Sequence, residues 1–200
     1  MQQNILRRIL APFSRYDEWE HWNSRSDPNA PKGWDGATLS YDVNYLRERL
    51  QGCDEILELG PGVGRTLAAH SPQSRITCYD ITGNYRTQLL TRARELDLDV
   101  RLDVARSPDE PLPYEDGSFA AAVASQVFQH QRPERIERVM SELIRAAGEI
   151  IVIASYGRSK HKRSAHAFHH DYPELCARIS CEMNHVRVRE GRIYFVYRRP

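Results

Sequence analysis

Residues 55–65 read Glu-Ile-Leu-Glu-Leu-Gly-Pro-Gly-Val-Gly-Arg, so three glycines and a proline follow directly on an apolar run. A chain uses glycine where the backbone must take a positive φ or be approached closely. A second apolar run, 75–80, ends in Asp80. A carboxylate there can accept hydrogen bonds from the hydroxyls of a ribose. The helix expected after the glycine turn would add unpaired N–H groups and a partial positive charge. Together these features point to a nucleoside cofactor. The spacing is GxGxG rather than the GxGxxG that lets helix and strand pack beneath a pyrophosphate. A nicotinamide enzyme is therefore disfavoured.

Two further groups of residues could act on an acceptor. His130 follows the fourth expected strand, and an imidazole near neutral pKa suits proton removal from a hydroxyl. Its competing use is to enter the next helix, held by backbone hydrogen bonds. Residues 156–175 carry Arg158, Lys160, Lys162 and Arg163, with His161, His166, His169 and His170. Cations at the mouth of a site would attract an anionic acceptor; the alternative is a solvated basic loop. Zinc held by His169, His170, Cys176 and Cys181 is not expected, because adjacent histidines diverge and the spacing fits no common site. Trp19 and Trp22 could face a cation or staple the N-terminal segment to the core.

These residues need elements to position them. From 54 onward the chain alternates. Strands are predicted at 55–59, 75–80, 98–105, 119–126 and 149–156, with a brief helix over 65–70 and another over 84–96. Pro133 opens and Gly148 closes a helix with an Ile136-Val139-Met140-Leu143-Ile144 stripe. Strands separated by helices argue for a mostly parallel, doubly wound α/β sheet. Two alternating runs around Glu190-Gly191 predict an antiparallel hairpin at one sheet edge. Residues 1–50 read as an aromatic and helical cap over the ligand end, with one helix capped at Ser40; residues 51–200 form the cofactor-binding domain of a single-domain chain.

A net charge of +1 gives no global reason to expect nucleic acid as partner. The stretch 1–16 has an apolar helical face interrupted by arginines, too short for a membrane span, so no stable membrane insertion is expected. Cys53, Cys78, Cys176 and Cys181 form no CxxC pair, which fits a reducing, cytoplasmic setting.

The ordered series Glu58-Leu59-Gly60-Pro61-Gly62-Val63-Gly64, Asp80, Asp103, "LPYEDGSF" (112–119) and "ASQVFQH" (124–130) resembles the class I S-adenosylmethionine-dependent methyltransferases. The resemblance runs from about 54 to 156. It implies a seven-stranded Rossmann-like sheet and S-adenosyl-L-methionine as cofactor. It places Glu58, Gly60, Pro61, Gly62 and Gly64 at the methionine end, Asp80 on the ribose, and Ile81 against adenine. Asp103 and Val104 would sit at the adenine edge, Ser125 and Gln126 at the methyl-transfer site, and Tyr16 would close the site. Two departures stand out: Ala120 replaces the usual acid after Phe119, and the stretch from Asp103 to Leu112 is long. The implied reaction is methyl transfer to a small acceptor, anionic if the cations of 156–175 face it, with oxygen favoured because no (N/D)-P-P-(Y/F/W) tetrapeptide begins near 126. Cofactor binding without catalysis remains the alternative.

Overall fold

The computed structural model describes residues 17–25, 36–155 and 167–200. Tyr16, Arg158, Lys160 and Lys162, named above as site residues, lie outside them. A seven-stranded sheet has the order β3-β2-β1-β4-β5-β7-β6. Strands β1 (Glu55–Leu59), β2 (Arg75–Asp80), β3 (Asp99–Val104), β4 (Phe119–Ser125) and β5 (Ala147–Ser155) pair in parallel. The C-terminal hairpin of β6 (Glu182–Arg189) and β7 (Arg192–Arg198) adds antiparallel pairings on the β5 side. Glu190 and Gly191 both have positive φ, 51° and 74°. A two-residue turn of that kind matches the twist of the strands it joins.

Helices cover both faces, and the period-2 alternation of the strands decides which side chain meets which helix. Ile56, Val123, Ile151, Ile153 and Tyr194 pack with Tyr45 and Leu46 of α2 (Gly36–Arg49). Ile76, Cys78 and Leu102 pack with Leu89 and Ala93 of α3 (Arg86–Glu95). Leu57, Ala122, Val152 and Phe195 face the other way, onto α4 (Ile136–Ala146) and the short α5 (Tyr172–Arg178). Ile136, Met140 and Leu143 of α4 are completely buried. Each such side chain contributes roughly 1.5–3 kcal/mol by leaving water.

Three local expectations need correction. Pro133 lies in a lead-in turn, where Arg135 and Ile136 N–H both donate to Arg132 C=O; the helix starts at Ile136. It runs straight into β5 through an extended Ala147, so Gly148 is a strand residue and no stop signal. Ser40 sits inside α2, its hydroxyl donating to Gly36 C=O at 2.7 Å, a bond interior serines make.

Of the expected cap, residues 36–49 instead form part of the helical layer. Buried Asp42 of α2 accepts from Tyr194 hydroxyl at 2.8 Å and from Arg192. Thr38 donates to Glu190. Among the described residues of the cap, α1 (Glu18–Asn23) is the element that lies over the ligand end. Asp17 caps it by accepting from Glu20 N–H at 2.9 Å.

Candidate functional site

The chain reverses direction across the sheet between β1 and β4, and ligands of open α/β sheets bind beyond the strand ends at such a switch point. A cavity of about 190 Å³ lies there. Gly60 and Gly62 border it from the end of β1, Asp80 and Ile81 from β2, and Gln126 and His130 from β4.

Asp80 is the charged centre of this cavity. One carboxylate oxygen accepts from Thr82 N–H at 3.1 Å and the other from Gly62 N–H at 3.3 Å. Burial pushes its pKa up to about 6, with the Thr82, Gly62 and Ile81 N–H groups pulling the other way. Gly62 has φ +54°, and nothing lies within 4 Å of where a Cβ would project. A carboxylate able to accept from vicinal hydroxyls, beside a backbone with nothing standing over it, fits a nucleoside cofactor.

The expected helix after the turn is a single 3-10 turn, Leu67–Ala69. The dipole of a full helix is therefore not part of this site. A buried polar knot anchors the segment instead: Glu58 accepts from Thr66 hydroxyl at 2.5 Å and pairs with His70 Nε2 at 2.7 Å. Glu58 is 1 % exposed and does not border the cavity. Its carboxylate holds the loop. Pro61 and Gly64 also lie off the cavity wall.

On β3, Asp103 accepts from Arg101 Nε at 2.9 Å and from Tyr114 hydroxyl at 3.1 Å. Neither Asp103 nor Val104 borders the cavity; Ala105 does. At the end of β4, Ser125 keeps its hydroxyl buried without a hydrogen-bond partner, off the cavity wall. Gln126 borders it with φ +58°, a left-handed conformation costing a side-chain-bearing residue on the order of 1–3 kcal/mol. Gln126 N–H donating to Ile153 C=O at 2.6 Å and Gln129 Nε2 donating to Gln126 Oε1 at 3.1 Å hold it there.

His130 borders the cavity and meets Trp22 of α1 edge-on, ring centroids 5.2 Å apart. Trp22 thus forms part of the wall, whereas Trp19 packs against the core. Helix α1 is fastened on both sides of the opening. Asn84 donates to Asn23 C=O at 3.0 Å and Arg25 C=O at 2.8 Å. Glu18 accepts from Arg132 N–H at 2.6 Å and Arg135 at 3.0 Å. Glu18 borders the cavity too, and burial raises its pKa. Nothing in its sequence context distinguished it from the acids around it.

His169 is exposed and away from the cavity; His170 is buried, its Nε2 donating to Gln131 C=O at 3.0 Å. Among the described residues no three His, Cys, Asp or Glu side chains gather to hold a metal ion. Among them, too, no helix is long and apolar enough to cross a membrane.

Residues 56–148 match the sequence model of a family described as a methyltransferase domain. A phosphatidylethanolamine N-methyltransferase from Cereibacter sphaeroides is 24% identical over 106 residues, spanning 52% of each chain. The chain therefore matches about half the length of that relative. The [4+2]-cyclase SpnF superposes with a TM-score of 0.68 at 15% identity, over 89% of this chain and 85% of its own. A 1,6-didemethyltoxoflavin-N1-methyltransferase from Burkholderia thailandensis, solved with S-adenosylhomocysteine, gives 0.62 at 16% identity, over 82% and 79%. A fold shared with a cyclase carries the architecture, not the reaction. The methyltransferase-domain match over 56–148, and a sheet shared with a methyltransferase solved with S-adenosylhomocysteine, support a methyltransferase that uses S-adenosyl-L-methionine.

Proposed function

We propose that this chain transfers a methyl group from S-adenosyl-L-methionine to an oxygen of a small, anionic acceptor in the cytosol. The observation that carries the cofactor assignment is the Asp80 carboxylate in the cavity, braced by Gly62 and Thr82 N–H. When bound, the cofactor supplies an electrophilic methyl on a sulfonium, and the protein contributes binding, orientation and electrostatics. Asp80 would accept from the ribose hydroxyls, Gly60 and Gly62 would let the methionine end approach the backbone, and Ile81 would pack on the base. Gln126 and Trp22 would confine the acceptor beside His130, which would take its proton. The cations at 158–163 support the anionic acceptor, and four free cysteines fit a reducing compartment.

Thermal shift with S-adenosylhomocysteine and with NAD tests the cofactor. A rise in Tm with the first alone is expected; a rise with NAD alone, or with neither, overturns the assignment. An acceptor screen should show activity that falls with added salt. His130→Gln should lower turnover about 100-fold at saturating cofactor, the low end for a lost general base. A rate near wild type removes His130 from that role.

A second reading has an amine as acceptor. Glu18 borders the cavity on the α1 side, and a carboxylate favours a cationic group. The Cereibacter relative is named for a phosphatidylethanolamine acceptor. Methyl incorporation into phosphatidylethanolamine vesicles, and none into hydroxyl or carboxylate compounds, would establish it.

A further inference from the structure

The resemblance assigns the adenine edge to Asp103, yet that carboxylate is spent elsewhere. Its two oxygens take Arg101 and Tyr114, and it does not border the cavity. Side chains two apart on a strand share a face, so Asp103 follows Arg101 outward. Some other group must meet the base.

The cavity itself indicates where. With the sugar on Asp80 and the methionine end on the β1 turn, the base must extend toward β3, the outer neighbour of β2. That arm is bordered by Ile81, Ala105, Leu112, Ser107 and Glu110. The first three are apolar walls suited to a flat ring. Other charged groups bordering the arm are engaged. Arg138 donates to Asp109 Oδ1 at 3.0 Å and to Pro108 C=O at 3.3 Å. Glu142 accepts from Arg145 at 2.9 Å and from Leu112 N–H at 3.1 Å.

Glu110 differs. One of its oxygens accepts from Arg106 N–H at 2.6 Å, which fixes the carboxylate. The other has no hydrogen-bond partner among the described residues. The loop that carries it is pinned to α4, because Arg135 and Arg138 both pair with Asp109. The unusual length between Asp103 and Leu112 thus returns an acid to the cavity.

We infer that Glu110, not Asp103, accepts a hydrogen bond from the exocyclic amine of adenine and so selects the adenine base. An ionised carboxylate only accepts, so it favours a 6-amino edge and repels the 6-oxo edge of hypoxanthine. The assignment rests on the cofactor proposed above.

Calorimetric titration of the full chain with S-adenosylhomocysteine and with its 6-oxo counterpart, S-inosylhomocysteine, tests it. The wild type should prefer the 6-amino compound by about 10- to 100-fold, the range for a hydrogen bond to a charged group. Glu110→Gln, whose amide can also donate, should bring that ratio to one or below, while Asp103→Asn leaves it unchanged. The ratio is taken within each variant, so general loss of stability does not produce it. An unchanged ratio in Glu110→Gln, a ratio abolished by Asp103→Asn, or no preference in the wild type overturns the inference and leaves the cofactor standing. Absence of binding by either compound to the wild type overturns both.

Discussion

Asp80→Asn is expected to weaken S-adenosylhomocysteine binding by about 100-fold, measured by calorimetry at pH 7.5. Hydrogen bonds to a charged acceptor are worth roughly 1.5–3 kcal/mol each. Two ribose hydroxyls would share this carboxylate, and the amide keeps one accepting oxygen but not the charge. The pH dependence provides a second signature. Burial holds the Asp80 pKa up to about 6, against an ordinary 3.8. The ionised form would be the one that accepts from both hydroxyls. Wild-type affinity should therefore fall as pH drops through 6, by about tenfold per unit well below it. Asp80→Asn should show no such slope.

Stability must run the other way. A carboxyl whose folded pKa lies above its unfolded value stabilises the fold fully below the unfolded value. That contribution is lost as pH rises through the folded one, here between 3.8 and about 6. The difference is on the order of 3 kcal/mol. Glu18 and Asp42, also raised by burial, act with the same sign, so affinity is the measurement that isolates Asp80. An Asp80→Asn variant that binds like wild type, or that keeps the wild-type slope, would remove Asp80 from the ribose site.

The parts of this fold that were legible from the residues are those where burial alone decides. Apolar runs gave β1, β2, β4 and β5 to within a residue or two, and the stripe from Ile136 to Ile144 gave α4. What stayed hidden depended on partners distant in sequence. Glu58 and Asp80 look alike as acids ending strands. Only the fold shows that Glu58 meets His70, twelve residues on, while Asp80 stays at the cavity. The segment 65–70 has the composition of a helix, but Thr66 and His70 are tied to Glu58, and Pro72 follows. One 3-10 turn is all the geometry leaves. Asp103 was open to a parity argument: Arg101, on the same face, is its nearest cation. Glu18 and Glu110 left no local signal, because each reaches the site through a loop or helix held by arginines of 132–138.

The glycine turn yields the largest expected effect on stability, and the three glycines should not behave alike. A Cβ at Gly64 would stand 2.8 Å from Leu67 Cδ1 and 2.9 Å from Leu89 Cδ1, with φ at +78°. Leu67 and Leu89 are completely buried and cannot swing into solvent. Overpacking of this kind costs about 1–3 kcal/mol and the left-handed conformation about 1–2 more. Gly64→Ala should thus lower stability by about 2–5 kcal/mol, out of the roughly 5–15 available to a domain. Gly62 has the same handedness but nothing in the way. Gly62→Ala should cost only about 1 kcal/mol of stability, the strain alone, and lose most of its S-adenosylhomocysteine affinity as the methyl enters the cavity. Gly60→Ala combines both effects, since its Cβ would press on Val127 Cγ2 at 2.7 Å and Val127 borders the cavity. Urea unfolding and calorimetry on the three variants separate folding from binding. Equal losses of stability at 62 and 64, or tight binding by Gly62→Ala, would contradict the division. If it holds, Gly64 packs the turn onto α3 and Gly62 keeps the cavity open, although nothing in the motif tells the two apart.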